Sequence, residues 1–89
     1  MSNIVTYEAL NRNAQKVVDL VLRKNADYGD AWRRNGVVGV MVRIQDKMLR
    51  LENLNGKSGL VVGENARDTL MDICGYALLG LIELEQGHE

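Results

Sequence analysis

The stretch from Ile73 to Ile82 most constrains how this chain can fold, because none of its residues is charged. As a helix the stretch is apolar on every side, and such helices are buried on every side. Gly75 and Gly80 each lower helix propensity by about 1 kcal/mol, but they let neighbouring helix backbones approach closely. Two partner helices from the same chain cannot surround this one. We therefore expect copies of the chain to pack together here, as a dimer or a larger homo-oligomer.

The length of the chain supports the same expectation. Its 89 residues are enough for a single domain, residues 1–89. A domain this small buries only about 60% of the surface that its unfolded chain exposes. Small domains usually supplement such a core with disulfides, metals or oligomerisation. Cys74 is the only cysteine, so no disulfide can form within the chain.

Composition also limits the compartment and the partners. A single cysteine favours a reducing, cytoplasmic location, and the N-terminal sequence MSNIVTYEAL lacks the pattern of a signal peptide. The longest apolar run is too short to cross a membrane, so no membrane is expected as a partner. Because the net charge is −1 and no long basic run occurs, duplex nucleic acid is not expected as a partner either.

Helical periodicity predicts an all-α fold of three helices, one shorter and two long and antiparallel, which assemble into an oligomeric helical bundle. The predicted helices cover residues 7–24, 34–54 and 64–85. Thr6 is the expected N-cap of the first helix. Gly29 is expected to break the chain after it, with Asn25 and Asp27 as turn formers. Asn55–Gly56 is the expected end of the second helix.

The first two helices each carry an apolar stripe at helical spacing, and these stripes predict the core. On the first helix the stripe consists of Leu10, Ala14, Val17 and Val21. On the second helix it consists of Val37, Val40, Met41, Ile44, Met48 and Leu51.

Three carboxylates on the third helix are candidate metal ligands. Glu64, Asp68 and Asp72 are spaced i, i+4 and i+8, so they form one stripe. Acidic residues near a helix N-terminus favour the macrodipole and face solvent, which is the simpler interpretation of Glu64. Asp72 lies among apolar residues, where a carboxylate must be paired or must hold a metal. Hard cations such as Mg²⁺ prefer oxygen ligands of this kind.

A charged stripe on the second helix is the candidate counterpart of these acids. It consists of Arg43, Asp46, Lys47 and Arg50. The simpler interpretation is a solvated face with ordinary ion pairs along one helix. Apolar neighbours of the stripe indicate instead that something covers part of it. In that case its cations would pair with the aspartates of the third helix or bind a phosphate.

The segment KNADYGDAWRR, residues 24–34, combines aromatic and cationic side chains. Trp32 could close the corner between the first two helices as a purely structural element. Alternatively, Tyr28 and Trp32, beside Lys24 and two arginines, suit base stacking and phosphate contact. Both interpretations are open.

Three ordered blocks of the sequence, KNADYGDAWR, RIQDKMLRLENL and ENARDTLMDICGYALL, resemble the nucleotide modification associated domain, a phage and bacterial family. The resemblance covers the chain from about Lys24 to Leu84. That family is similar in turn to the all-α NTP pyrophosphatases of the MazG-like and dimeric dUTPase-like types. Those enzymes hold Mg²⁺ over nucleotide phosphates with an E-x-x-E helix and an E-x-x-D helix, in dimeric or tetrameric bundles.

The resemblance transfers this acidic pattern only in part. Asp72 looks like the final aspartate of the second motif, and Asp68 lies one turn before it. Asp46 resembles one acid of the first motif, but the positions three and four after it are Leu49 and Arg50. Because no E-x-x-E pair is present, the resemblance implies nucleotide binding more than catalysis. Fewer carboxylates weaken Mg²⁺ binding and, with it, water activation.

Two functional hypotheses follow. In the first, the chain hydrolyses a nucleoside triphosphate between the α and β phosphates with the help of Mg²⁺. The metal ligands would be Asp46, Asp68 and Asp72, with Glu64 as a catalytic outer ligand or base. The substrate-binding residues would be Lys24, Tyr28, Trp32, Arg43, Lys47 and Arg50. In the second, a non-catalytic phage-type homo-oligomer in the host cytoplasm holds a nucleotide, or a nucleotide-derived signal, at a subunit interface and so sequesters it from a host defence system. The same basic and aromatic residues would bind it.

Overall fold

The chain is helical wherever regular structure is described. A computed structural model describes residues 3–58 and 64–86, with side chains described for residues 3–53 and 66–86. The helices are α1 (Tyr7–Tyr28), a short 3₁₀ helix (Ala31–Arg33), α2 (Gly36–Ser58) and α3 (Glu64–Gln86). These ranges contain no strand, so the predicted all-α class is confirmed, whereas the assembly of chains stays a prediction. Among the helices of these ranges, none has the length and apolar character of a membrane-spanning segment.

Helix α1 begins where the sequence predicts and ends later. The Thr6 hydroxyl accepts a hydrogen bond from the Ala9 backbone N–H at 3.0 Å, which confirms the predicted N-cap. The helix continues to Tyr28, so Asn25 and Asp27 lie in its last turn, and their prediction as turn formers is wrong. Intrinsic propensity is a weak guide here because tertiary contacts override it, and the Asn25 side chain has such a contact with an indole N–H.

Two glycines define the connection between α1 and α2. Gly29 has φ 65°, and its N–H donates to the Asn25 carbonyl oxygen at 2.7 Å, which ends α1 as predicted. Gly36, at the start of α2, has φ 63°. Both are left-handed conformations that a residue with a Cβ atom adopts only at a cost. The 3₁₀ helix between them was not predicted.

Helix α2 differs from its prediction at both ends. It begins at Gly36 instead of residue 34, and it ends at Ser58 instead of residue 54. The predicted stop at Asn55–Gly56 is therefore wrong. A glycine ends a helix when it adopts a positive φ, and among the described residues only Gly29 and Gly36 do so. Within a helix a glycine costs only about 1 kcal/mol, which packing can offset.

Helix α3 lies between the other two helices and runs antiparallel to both. Close approaches to α2 pair Val40 with Gly80, and Lys47 with Asp72, so residue numbers rise on one helix as they fall on the other. The contacts between α3 and α1 likewise pair higher residue numbers on one helix with lower numbers on the other. Helix α3 therefore has one face that contacts α1 and α2 and one face directed away from both.

The two glycines of α3, which the sequence assigns to packing between chains, both face another helix of the same chain. A Cβ atom on Gly75 would lie 2.9 Å from Cγ2 of Val21 on α1. A Cβ atom on Gly80 would lie 3.4 Å from Cγ1 of Val40 on α2. The first distance is shorter than van der Waals contact allows, whereas the second is an ordinary contact. Helices α3 and α1 can therefore approach this closely only because Gly75 has no side chain.

The core is smaller than the apolar stripes predict. Among the described side chains, Val17 and Val40 are the buried apolar ones. Met41 and Met48 are exposed, so their placement in the core is wrong. The same correction applies to Leu10 and Ala14, which are exposed. They lie in the N-terminal half of α1, and the close approaches of α1 to α3 lie near its C-terminal end.

We expect Gly75→Ala and Gly80→Ala to change stability in opposite directions. The Gly75 variant should unfold more easily, by about 1–2 kcal/mol, because overpacking against the stiff Val21 side chain outweighs the gain in helix propensity. The Gly80 variant meets only an ordinary contact, so it should gain up to about 1 kcal/mol. Urea denaturation followed by circular dichroism measures both. A Gly75 variant as stable as the Gly80 variant would contradict the packing described here.

Candidate functional site

A cavity of about 350 Å³ lies on the inward face of α3, between α2 and the C-terminal end of α1. Helix α3 contributes Asp72, Gly75, Tyr76 and Leu79 to it. The α1 end and the following turn contribute Leu20, Val21, Lys24, Asn25, Tyr28, Gly29, Ala31 and Trp32, and α2 contributes Val40 and Arg43. Its size is within the range of small-molecule sites, and an apolar lining with a few polar groups is typical of them.

The aromatic wall of the cavity is held by a hydrogen bond within the chain. The Trp32 Nε1–H donates to the Asn25 Oδ1 atom at 3.2 Å, which joins the 3₁₀ helix to the last turn of α1. The indole is half-buried, while Tyr28 at the same end of α1 is exposed. Trp32 therefore both closes the α1–α2 corner and lines the cavity, so the two interpretations of its role are compatible.

A buried ion pair anchors the residue next to Trp32. The Arg33 Nε–H donates to the Glu83 Oε1 atom at 2.7 Å, and the Glu83 side chain is 0% exposed. The Arg33 guanidinium carbon also lies 5.9 Å from the centre of the Trp32 ring, within cation–π range. This pair connects the 3₁₀ helix to the C-terminal half of α3.

Glu83 was not among the residues singled out from the sequence. It follows directly after the apolar stretch that ends at Ile82, and it stands between Ile82 and Leu84. An acid within an apolar run is the signal that could have found it, because a buried carboxylate needs a partner. Its partner, Arg33, lies far away in sequence, and only the antiparallel packing of the chain brings the two together.

Asp72 is the acid of α3 that reaches the cavity, and it forms two ion pairs. Its Oδ1 atom lies 3.5 Å from the Lys24 Nζ atom, and its Oδ2 atom lies 3.1 Å from the Lys47 Nζ atom. The carboxylate is 18% exposed, so it is largely but not fully removed from solvent. Asp72 of α3 thus links α1 to α2. This agrees with the interpretation in which cations of the second helix pair with an aspartate of the third.

The other predicted site residues fall into three groups. Arg43 lines the cavity together with Lys24. Asp46, Arg50 and Asp68 are exposed, and they are not among the lining side chains. The Glu64 side chain lies outside the described residues, so its predicted catalytic role stays a prediction.

The described side chains do not form a recognisable metal site. Among residues 3–53 and 66–86, no group of three or more His, Cys, Asp or Glu side chains could hold a metal ion. Both oxygens of Asp72 face lysine ammonium groups, which compete with a cation for the same lone pairs. Binding of Mg²⁺ by Asp46, Asp68 and Asp72 stays a prediction.

The sequence matches the model of a known family over most of its length. The matching family is described as Nucleotide modification associated domain 1, and the match covers residues 24–84. The chain belongs to this family. Both the family and the extent of the resemblance were predicted from the sequence, whereas similarity to MazG-like or dUTPase-like pyrophosphatases stays a prediction. No curated protein and no solved structure matches the chain.

Of the described residues that line the cavity, all except Leu20 and Val21 lie in the region that matches the family. It also contains both members of the buried Arg33–Glu83 pair, and Asp72 together with its two lysine partners. The cavity is thus built largely from the part of the chain that defines membership of the Nucleotide modification associated domain 1 family.

We expect Asp72→Asn to lower the free energy of unfolding by about 1–2 kcal/mol, between the values for exposed and fully buried ion pairs. Asn retains the shape but removes the charge that both lysines contact. Asp68→Asn is the matched control at an exposed residue one helical turn earlier on α3, with an expected change below about 0.5 kcal/mol. Urea denaturation at low and high salt measures both changes. High salt should reduce the difference in stability between the two variants, because it screens the ion pairs.

Equal stability of the two Asn variants would contradict a structural role for the Asp72 ion pairs. The same proteins also test the metal prediction. A Mg²⁺-dependent rise in melting temperature that is present in the parent and absent from Asp72→Asn would support metal binding at Asp72.

We expect Arg33→Leu to destabilise the chain by about 3–5 kcal/mol, because it removes the cation from a buried carboxylate. Arg34→Leu, at the exposed neighbouring residue, is the control. The double variant Arg33→Leu, Glu83→Leu should recover much of the loss, since no buried charge then remains. Thermal and urea denaturation measure all three. An Arg33→Leu variant as stable as Arg34→Leu would show that the pair contributes little.

Proposed function

We propose that the chain binds a nucleotide, or a small molecule derived from one, in the cavity on the inward face of α3. The observation that carries the proposal is the pairing of aromatic and cationic side chains in one cavity of suitable size. Tyr28, Trp32 and Tyr76 supply aromatic faces, and Lys24 and Arg43 supply positive charge. Bases stack on aromatic side chains with about 1–3 kcal/mol each, and phosphates bind to cations.

The charges of the cavity favour an anionic ligand. Among the described residues that line the cavity, Asp72 is the only carboxylate, and its charge is already opposed by Lys24 and Lys47. Within the described part of the chain, Arg43 forms no ion pair, so its guanidinium is available to a phosphate. The lining therefore carries an excess of positive charge at one wall, beside the aromatic groups. A nucleotide has the matching division into an aromatic base and an anionic phosphate.

Family membership is consistent with this proposal. The description of the family associates it with nucleotide modification, which concerns the same class of molecule. It does not specify a reaction, so the choice between hydrolysis and binding depends on the site residues.

We favour binding without hydrolysis, with sequestration of a nucleotide signal as its biological use. The supporting observation is that Asp72 forms ion pairs with lysines, while Asp46 and Asp68 lie on exposed surface. An Mg²⁺-dependent NTP pyrophosphohydrolase needs several carboxylates that converge on one metal. That second candidate is supported by the resemblance of the Asp68–Asp72 stretch to the pyrophosphatase motif.

We expect Arg43→Glu to weaken nucleotide binding at least tenfold, because a charge-assisted hydrogen bond contributes about 1.5–3 kcal/mol. Arg50→Glu is the matched control on α2, with the same change of charge at an exposed residue that does not line the cavity. Quenching of Trp32 fluorescence by ATP and the other nucleoside triphosphates measures affinity directly, since Trp32 is the only tryptophan. Equal weakening by both substitutions would move the binding site from the cavity to the α2 surface.

The same mixtures distinguish binding from hydrolysis. Each nucleotide is incubated with the protein, with and without MgCl₂, and is recovered after denaturation for chromatography. Intact nucleotide supports sequestration. Monophosphate and pyrophosphate that form only with Mg²⁺, and are lost in Asp72→Asn, would support the pyrophosphohydrolase instead.

A further inference from the structure

The two faces of α3 have an inverted distribution of polarity. Its inward face, toward α1 and α2, carries Thr69, Asp72, Tyr76 and Glu83, which are buried or half-buried. Its outward face carries Leu70, Leu78, Leu81 and Leu84, all of which are exposed. A helix at the surface of a soluble monomer normally shows the opposite arrangement, with its apolar stripe toward the core.

The outward side chains follow the spacing of a helix–helix seam. Leu70, Cys74, Ala77, Leu81 and Leu84 are separated by alternating steps of four and three residues. This is the spacing at which one helix inserts its side chains between those of another. All five are exposed, and Leu70, Leu81 and Leu84 are 54%, 57% and 57% exposed. We call these five residues the α3 seam.

The distribution of charge on α3 favours an uncharged apolar partner for this seam. Between Leu70 and Leu84 the only charged residues are Asp72 and Glu83. Their side chains are only 18% and 0% exposed, because both form ion pairs on the inward face. An identical copy would therefore bring a neutral apolar surface against another neutral apolar surface, with no like charges to oppose it. A strongly charged partner would instead leave its charges unpaired.

The small core of the single chain points to the same partner. Val17 and Val40 are its buried apolar side chains within the described residues. Each Å² of apolar surface removed from water contributes about 25 cal/mol, so a second copy on the α3 seam would add the burial that a short chain lacks. A homodimer with two-fold symmetry uses the same surface patch on both subunits. A single apolar seam on each chain is therefore enough to form the interface.

We propose that two copies of this chain pair through the α3 seam, with Ala77 at the two-fold axis. Ala77 is the midpoint of the seam and its smallest side chain, so the helices approach most closely there. It lies against its counterpart in the second copy whether the two helices run parallel or antiparallel. The proposal does not depend on nucleotide binding, since it rests on the opposite face of α3 and is tested without nucleotide.

The test places single cysteines on two faces of the full chain. In a Cys74→Ser background, Ala77→Cys should give covalent dimers under mild oxidation at micromolar concentration. Leu22→Cys in the same background is the control, because Leu22 is exposed on α1, away from the seam. Light scattering of Leu81→Glu should show a smaller particle than the parent, with unchanged helical circular dichroism, since the new charge lies in the seam.

Three results would overturn the proposal. They are a parent protein that is monomeric at micromolar concentration, an Ala77→Cys variant that forms no more covalent dimer than Leu22→Cys, and a Leu81→Glu variant with the mass of the parent. The crosslinking comparison remains decisive if Leu81→Glu fails to fold.

Discussion

The shape of the cavity depends on the ion pair between Arg33 and Glu83. A carboxylate that is 0% exposed has lost its hydration, and the cost is several kcal/mol unless a cation with good geometry replaces the water. The 2.7 Å contact with Arg33 supplies that cation, so the 3₁₀ helix that carries Arg33 must stay against α3. Trp32 precedes Arg33 in the same short helix. Burial of one acid on α3 therefore holds an aromatic wall of the cavity in place, although Glu83 does not line it.

The second ion-pair group acts on the other wall of the cavity. Asp72 draws Lys24 of α1 and Lys47 of α2 toward one carboxylate, which ties together two helices that otherwise meet mainly through α3. The acid thus positions the positive charge of Lys24 at the cavity. Because Asp72 has two cationic partners, the region retains a net positive charge even before Arg43 is counted. Structural ion pairing and the proposed affinity for anions are in this way consequences of the same arrangement.

The sequence predicted the helices better than their packing. The Thr6 cap, the break at Gly29 and the extent of α3 depend on local chemistry, and they are present as predicted or within one residue. The end of α2 and the burial of Met41 and Met48 depend on contacts between helices, and those predictions were wrong. Asp72 was correctly marked as unlike a surface acid because its apolar neighbours are local in sequence. The Arg33–Glu83 pair was missed because its members are brought together only by the fold.

The two proposals, nucleotide binding and pairing of two copies, use opposite faces of α3. The inward face contributes Asp72, Gly75, Tyr76 and Leu79 to the cavity, and the outward face carries the α3 seam. On the proposed pairing, the seam buries apolar surface without covering the cavity, so each chain retains a complete set of cavity residues. The two carboxylates that would weaken a helix–helix seam, Asp72 and Glu83, are instead placed inward, where each forms an ion pair. Carboxylates within the most apolar helix are thus compatible with its burial. Asp72 and Glu83 form ion pairs on the inward face of α3, and on the proposed pairing the leucines of the α3 seam contact a second copy.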